Sequence, residues 1–298
     1  MIEDSLRCLR EAGRIAAAGR LLAEREARRG ALLREVCERV EREIDRLGGE
    51  LAFPVQSSVN QVAAHYCPSP EEATTLSPGD LAKLDIGVHI NGWVVDTAVT
   101  VNVDDAPENR PLVEAARAAL AAAIQAAGPG VPVRELSGRI EGTIRSFGLR
   151  PLRNLCGHGV ARWTVHCPPP IPNVVDSSAD VLEEGAVVAV EPFATDGLGL
   201  VTESGVAQVF RLDPRRDDSA PGPHPEVMAA IRAHRGLPFA RRQLAGFDRS
   251  ALEATLGLLQ REGRLTAYLP LVERTGRRVA QAEHTIYLGK GGAEVLTA

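Results

Sequence analysis

The period of the apolar positions changes several times along the chain, and each change marks a different element. Within 3–47, Val36, Val40, Ile44 and Leu47 recur at helical spacing among Glu and Arg, and Gly48-Gly49 supplies a stop. Gly30 divides this stretch into two helices. From about 81 the period shortens to that of strands. LAKLDIGVHI and WVVDTAVTV are β-rich runs joined by Asn91-Gly92, the strongest short hairpin signal a sequence carries. Further on, 108–127 predicts a long helix, GPGVP a turn and 134–147 a second helix, before β-like runs near 186–191 and 205–210. Helix-helix-strand order therefore occurs twice, as in an internal duplication of roughly 100 residues whose halves share no visible identity.

Near 212 the character changes again. LDPRRDDSAPGPHPE is polar and proline-rich, PEVMAAIRAH and DRSALEATLGLLQREG predict helices, RLTAY is a short return, and HTIYLG at 284–289 reads as a strand. The expectation is an α+β fold in which residues 1–211 and 271–298 form one domain, interrupted at 212–270 by a small helical, winged-helix-like insertion. Acidic and basic residues are mixed along that insertion, which favours a packing appendage over a nucleic-acid reader.

Composition narrows the function. The 298 residues carry 34 Lys plus Arg against 39 Asp plus Glu, a formal charge of -5, with no long basic block of the kind that reads nucleic acid. Five cysteines without a C-x-x-C pair argue against a disulfide framework or a zinc ribbon and for free thiols in a reducing compartment. The charged N-terminus lacks the apolar core of a signal peptide, and no run reaches membrane-spanning length. These features point to a cytoplasmic protein with no membrane partner.

Asp85 and Asp96 carry the first chemical signal, because aspartate is depleted from strands and each interrupts an apolar, β-branched run. A two-residue turn at Asn91-Gly92 pairs Ile90 with Trp93, sets Gly87 opposite Asp96 and Asp85 opposite Ala98. The two carboxylates then share one face with Cβ atoms about 7 Å apart or less, close enough for two metal ions roughly 3.5–4 Å apart. Gly87 leaves space opposite Asp96. Two solvated aspartates on an exposed strand face are the plainer reading. His158 lies between glycines in NLCGHGV, while Glu191 and Glu283 stand at the ends of predicted strands. Taken singly these three suit a loop or a surface. Together, four carboxylates and one imidazole would balance two divalent cations, and one nitrogen among hard oxygens suits Mn, Fe, Co or Zn in a catalytic site.

The order and wording of VAAHYCPSP, KLDIGVHINGWVVDTAVTV, NLCGHGVARWTVHCPPPIPN, EPFAT and AQAEHTI resemble the methionine aminopeptidases of type II, from about residue 50 onward. The roughly 90 residues between Glu191 and Glu283, and LPFARR at 237–242, are similar to the helical insertion of that type. The resemblance implies a pita-bread fold with two divalent ions held by Asp85, Asp96, His158, Glu191 and Glu283. It implies that Asp96 and Glu283 bridge both ions, that Asp85 completes one, and that His158 and Glu191 complete the other. It also implies catalytic roles for His65 and His166 and a methionine pocket that includes Phe53 and Tyr268; Glu191 is the candidate to take a proton from water. The substrate implied is the N-terminus of a nascent chain with a small second residue, met by a monomer in transient contact with the ribosome.

Ala282, Trp163, Cys67 and Asn60-Gln61 depart from the family wording without removing a ligand. Cys67 and Cys167 put thiols beside His65 and His166, which suggests oxidation sensitivity and gives a Cys-His hydrolase as a chemical rival. Two more rivals would keep the pita-bread fold. One is a proline-specific peptidase with the same metals and a different pocket, and the other is a non-catalytic protein that associates with RNA or ribosomes.

Overall fold

A computed structural model describes residues 2–217 and 222–298. Positions 218–221 of the proline-rich boundary lie outside the described residues. The chain opens with helices α1 (Ile2–Glu26) and α2 (Leu33–Arg46), separated by Gly30 in a left-handed conformation. α2 buries Leu33, Val36, Cys37, Val40 and Ile44, one stripe at helical spacing. Helices α3 (Arg110–Ala126) and α4 (Val133–Ser146) repeat the arrangement, and α4 buries Val133, Leu136, Ser137, Ile140 and Ile144, each 100 residues after its counterpart in α2.

The duplication extends into the backbone. Gly30 N–H donates to Leu76 O and Leu76 N–H to Ala31 O; Gly130 N–H donates to Leu182 O and Leu182 N–H to Val131 O. Each of these leucines leads nine residues later to a carboxylate of the sheet, Asp85 within the strand Leu81–Ile90 in the first half and Glu191 just after the strand Val187–Val190 in the second.

Both helix pairs cover a nine-stranded sheet in which every pairing is antiparallel. Its longest strands form the hairpin of Leu81–Ile90 and Trp93–Asn102, with Asn91 and Gly92 both at positive φ, as a primed two-residue turn requires. The register is the expected one: Ile90 faces Trp93, Gly87 faces Asp96 and Asp85 faces Ala98. On one side lies Gln56–Val59; on the other come Glu283–Gly289, Val187–Val190, Cys156–Ala161 and Thr164–Pro172 in order.

The region of the expected insertion contains α5 (Pro225–Ala233) and α6 (Arg249–Arg261), packed on a three-stranded antiparallel sheet with Val209–Leu212 between Phe239–Ala240 and Leu265–Tyr268. It has its own apolar cluster, including Phe210, Met228, Ile231, Phe239 and Leu256. Among the described residues no helix is long and apolar enough to cross a membrane.

Candidate metal centre

The site is built from one transverse row of the sheet and its neighbours. Gln56, Asp85, Ala98 and Glu283 are consecutive cross-strand partners, so the two carboxylates stand on one face with a single alanine between them. Asp96 lies one step along the hairpin, opposite Gly87. His158 enters from the next hairpin, paired with Ala189, and Glu191 follows the end of Val187–Val190.

These five side chains line one cavity of about 190 Å³ together with Phe53, Gln56, His65, His166 and Tyr268. Ligand atoms of Asp96, His158 and Glu283 all lie within 4.8 Å of one another. His158 Nε2 is 3.7 Å from Asp96 Oδ2 and 3.7 Å from Glu191 Oε1. Its Nδ1 is 3.1 Å from Gly159 O, a contact that favours a proton on Nδ1 and leaves Nε2 as the free lone pair.

A divalent metal fits this donor set. Asp85 Oδ1, Asp96 Oδ1 and Glu283 Oε1 are buried oxygens with no hydrogen-bond partner, an arrangement a protein avoids unless something else meets them. Burial pushes Asp85 up to about 7. Burial and mutual repulsion hold Asp96, Glu191 and Glu283 well above the usual carboxylate range. A cation replaces that repulsion with attraction. Hard carboxylate oxygens with one imidazole match a catalytic divalent ion rather than a structural zinc.

His65 and His166 stand beside this set. The His166 ring centroid is 4.3 Å from that of His158, and His65 packs edge-on against Tyr268 at 5.5 Å. His166 opens to the cavity, yet the surrounding walls remove enough water to lower it to about 3, with His158, His65 and Arg211 adding positive repulsion. His158 is lowered by burial to about 4. Both imidazoles are therefore neutral near pH 7.

Two expectations change at this scale, and the glycines beside His158 gain a reason. The space that Gly87 leaves opposite Asp96 belongs to Phe53: a Cβ at 87 would lie 2.2 Å from the ring's Cε1. The glycines around His158 serve strand packing, since a Cβ at 157 would meet Ala189 O and one at 159 would meet Pro168 O, each at 2.3 Å. Cys67 is no reactive thiol. It is buried against Val209 and Ala240, and burial pushes it up to about 11. Burial also raises Cys167, so neither cysteine supports a Cys-His nucleophile.

Two residues of the site escaped sequence reasoning. Gln281 Nε2 donates to Glu283 Oε2 at 3.1 Å and to Glu191 Oε2 at 3.4 Å, tying the two glutamates together. Gln56 is buried, lines the cavity beside Asp85 and leaves its Oε1 unpaired. AQAE gave no sign of the first, and a glutamine in a strand gives none of the second. Only the cross-strand register reveals them.

The model of metallopeptidase family M24 matches residues 7–213. A methionine aminopeptidase of Methanothermobacter thermautotrophicus is 40% identical over 301 residues, covering 100% of this chain and 99% of its own. Among solved structures, a methionine aminopeptidase from Thermotoga maritima superposes with a TM-score of 0.72 at 23% identity, covering 99% of this chain and 96% of the other. A thermophilic Arx1 superposes with a TM-score of 0.86 at 16% identity, covering 98% and 90%. At those identities the two structures share the fold, the pita-bread arrangement of a curled sheet under paired helices.

Proposed function

The chain belongs to metallopeptidase family M24, and from that premise we infer that it is a methionine aminopeptidase, which removes the N-terminal methionine of proteins using divalent metal. We further assign it to type II, on the helical segment at 212–270 and the AAHY wording. We place it in the cytoplasm, acting as a monomer on nascent N-termini in passing contact with the ribosome.

The observation that carries the reading is the convergence of Asp85, Asp96, His158, Glu191 and Glu283 on one cavity whose other walls are Phe53, His65, His166 and Tyr268. Our proposal is that Asp85, Asp96, His158, Glu191 and Glu283 would together hold two divalent ions. Divalent ions held there would supply a lowered pKa for water and polarisation of a carbonyl. The chain's own residues do the rest. Glu191 takes the proton from water. His65 and His166 hydrogen-bond the scissile carbonyl and nitrogen, and move a proton to the leaving amine. Phe53 and Tyr268 give the flexible methionine side chain an apolar and polarisable seat, and a preference for a small second residue belongs to the same proposal.

The test is a side-by-side assay of peptides beginning Met-Ala, Leu-Ala and Xaa-Pro with cobalt- or manganese-loaded protein. Strong preference for Met-Ala is expected. Cleavage of Xaa-Pro peptides without a methionine requirement would move the chain to the proline-specific relatives. Metal binding without any cleavage would make it a binding protein.

A further inference from the structure

The chain uses lysine only twice, at Lys83 and Lys290, among 34 basic residues. Lys83 is only 1% exposed and heads the fully buried side chains by size. It stands two residues before Asp85 on the same strand, and therefore on the same face. Its Nζ donates to three backbone carbonyls, Val279 O at 2.9 Å, Asn60 O at 3.1 Å and Leu81 O at 3.3 Å. No carboxylate forms an ion pair with it among the described residues.

Three acceptors match the three N–H groups of an ammonium, and a planar guanidinium cannot aim at three converging carbonyls in this way. The carbonyls come from the three segments that lead into the site. Asn60 is five residues before His65, Leu81 opens the strand of Asp85, and Val279 is four residues before Glu283. Asn60 O also accepts from Val279 N–H at 3.0 Å, and the Asn60 amide bonds Asp80 Oδ1 at 2.8 Å, so the three segments are knotted at one point.

We propose that Lys83 is a positioning residue, a built-in cation that draws these three segments together and so fixes the spacing of Asp85, Glu283 and His65. The proposal rests on the metal-site reading above. It has a chemical corollary: three carbonyl oxygens that hold an ammonium also hold a small monovalent cation once the side chain is gone. A lysine that merely fills the core has no such corollary.

The experiment compares wild type, Lys83→Ala and Lys83→Met in tetramethylammonium chloride and in potassium or ammonium chloride at equal ionic strength. The readouts are cobalt affinity, followed by the visible absorption of the bound ion, and kcat/KM on a Met-Ala peptide. In tetramethylammonium both variants lose about tenfold or more in cobalt affinity, the scale of a lost supporting contact at a metal site. Potassium or ammonium restores Lys83→Ala. It does not restore Lys83→Met, whose apolar chain fills the space, and it leaves wild type unchanged. Wild-type cobalt affinity for Lys83→Ala in tetramethylammonium, or equal impairment in both salts, overturns the proposal. If Lys83→Ala does not fold in tetramethylammonium, its refolding yield in the two salts is compared, and equal yields overturn it. Wild type that binds cobalt but spares Met-leading peptides overturns the activity and leaves the cobalt comparison to decide on Lys83. Wild type that binds no cobalt overturns both.

Discussion

Asp85 shows what a buried, metal-free carboxyl costs the folded chain. Its carboxyl is held at about 7 by burial, against an ordinary 3.8. The metal-free folded state therefore binds the proton more tightly than the unfolded chain. The group's contribution to stability is full below the ordinary value and is lost as pH rises through about 7. Asp85→Asn removes that titration. In EDTA it should melt a few degrees above wild type at pH 8 and lose more than half of that advantage by pH 5, and the relief it gives Asp96, Glu191 and Glu283 has the same sign. A difference that does not vary with pH would contradict this. The same variant should lose the rise in melting temperature that cobalt gives wild type at pH 8. The histidines divide differently. His166→Ala should keep its metal and lose about 100-fold in kcat/KM, the scale of a missing acid-base group, whereas His158→Ala should lose both. Equal metal loss in the two would show the roles wrongly assigned. Asp85 and Asp96 were legible because a charge inside an apolar strand needs a reason. Gln56 and Lys83 were not, since an isolated polar residue in a strand gives no sign of what its side chain meets.

Among the elements, the Asn91-Gly92 hairpin was readable to the register, because only positive-φ residues make that turn and the period-2 pattern fixes each face. Which ring lies across Gly87 was not readable. Phe53 comes from the loop before Gln56–Val59, and nothing local links it to position 87. The glycine is what lets the ring lie against the strand beside Asp96. Gly87→Ala should displace that ring while the hairpin persists, since the φ of residue 87 is not in the glycine-favouring region. The expected result is a raised KM for Met-Ala peptides and a weakened preference for methionine over leucine, with cobalt affinity close to wild type. Pairing it with Phe53→Leu should recover part of the loss. Unchanged peptide kinetics in the single variant would mean that Phe53 does not shape the pocket.

In the whole molecule, two repeated halves bring Asp85 and Glu191 to equivalent places on one sheet, and a third body closes the cavity over them. The repeat was legible as an order of elements but not as a sequence match, because only buried positions such as Val36 and Leu136 or Val40 and Ile140 had to stay apolar. The closing body supplies Tyr268, Pro238 and Val209 to the cavity. It is anchored by Arg242, whose side chain is 4% exposed and pairs with Glu41 of α2, at 12%. Glu41 Oε1 accepts the Val55 N–H at 2.9 Å, and Arg242 donates to Val55 O at 3.2 Å, so the clamp grips the backbone between Phe53 and Gln56. Removing one partner of such a buried pair leaves an uncompensated charge and costs about 3–5 kcal/mol, whereas replacing both by apolar residues is often close to neutral. Glu41→Ala should therefore lower the melting temperature sharply and raise KM for Met-leading peptides, as the wall carrying Tyr268 loses its hold on the strand behind Phe53. The double variant Glu41→Leu with Arg242→Met should regain most of the stability. If Glu41→Ala melts within a degree or two of wild type, Arg242 is not a clamp and the closing body docks through its apolar contacts alone.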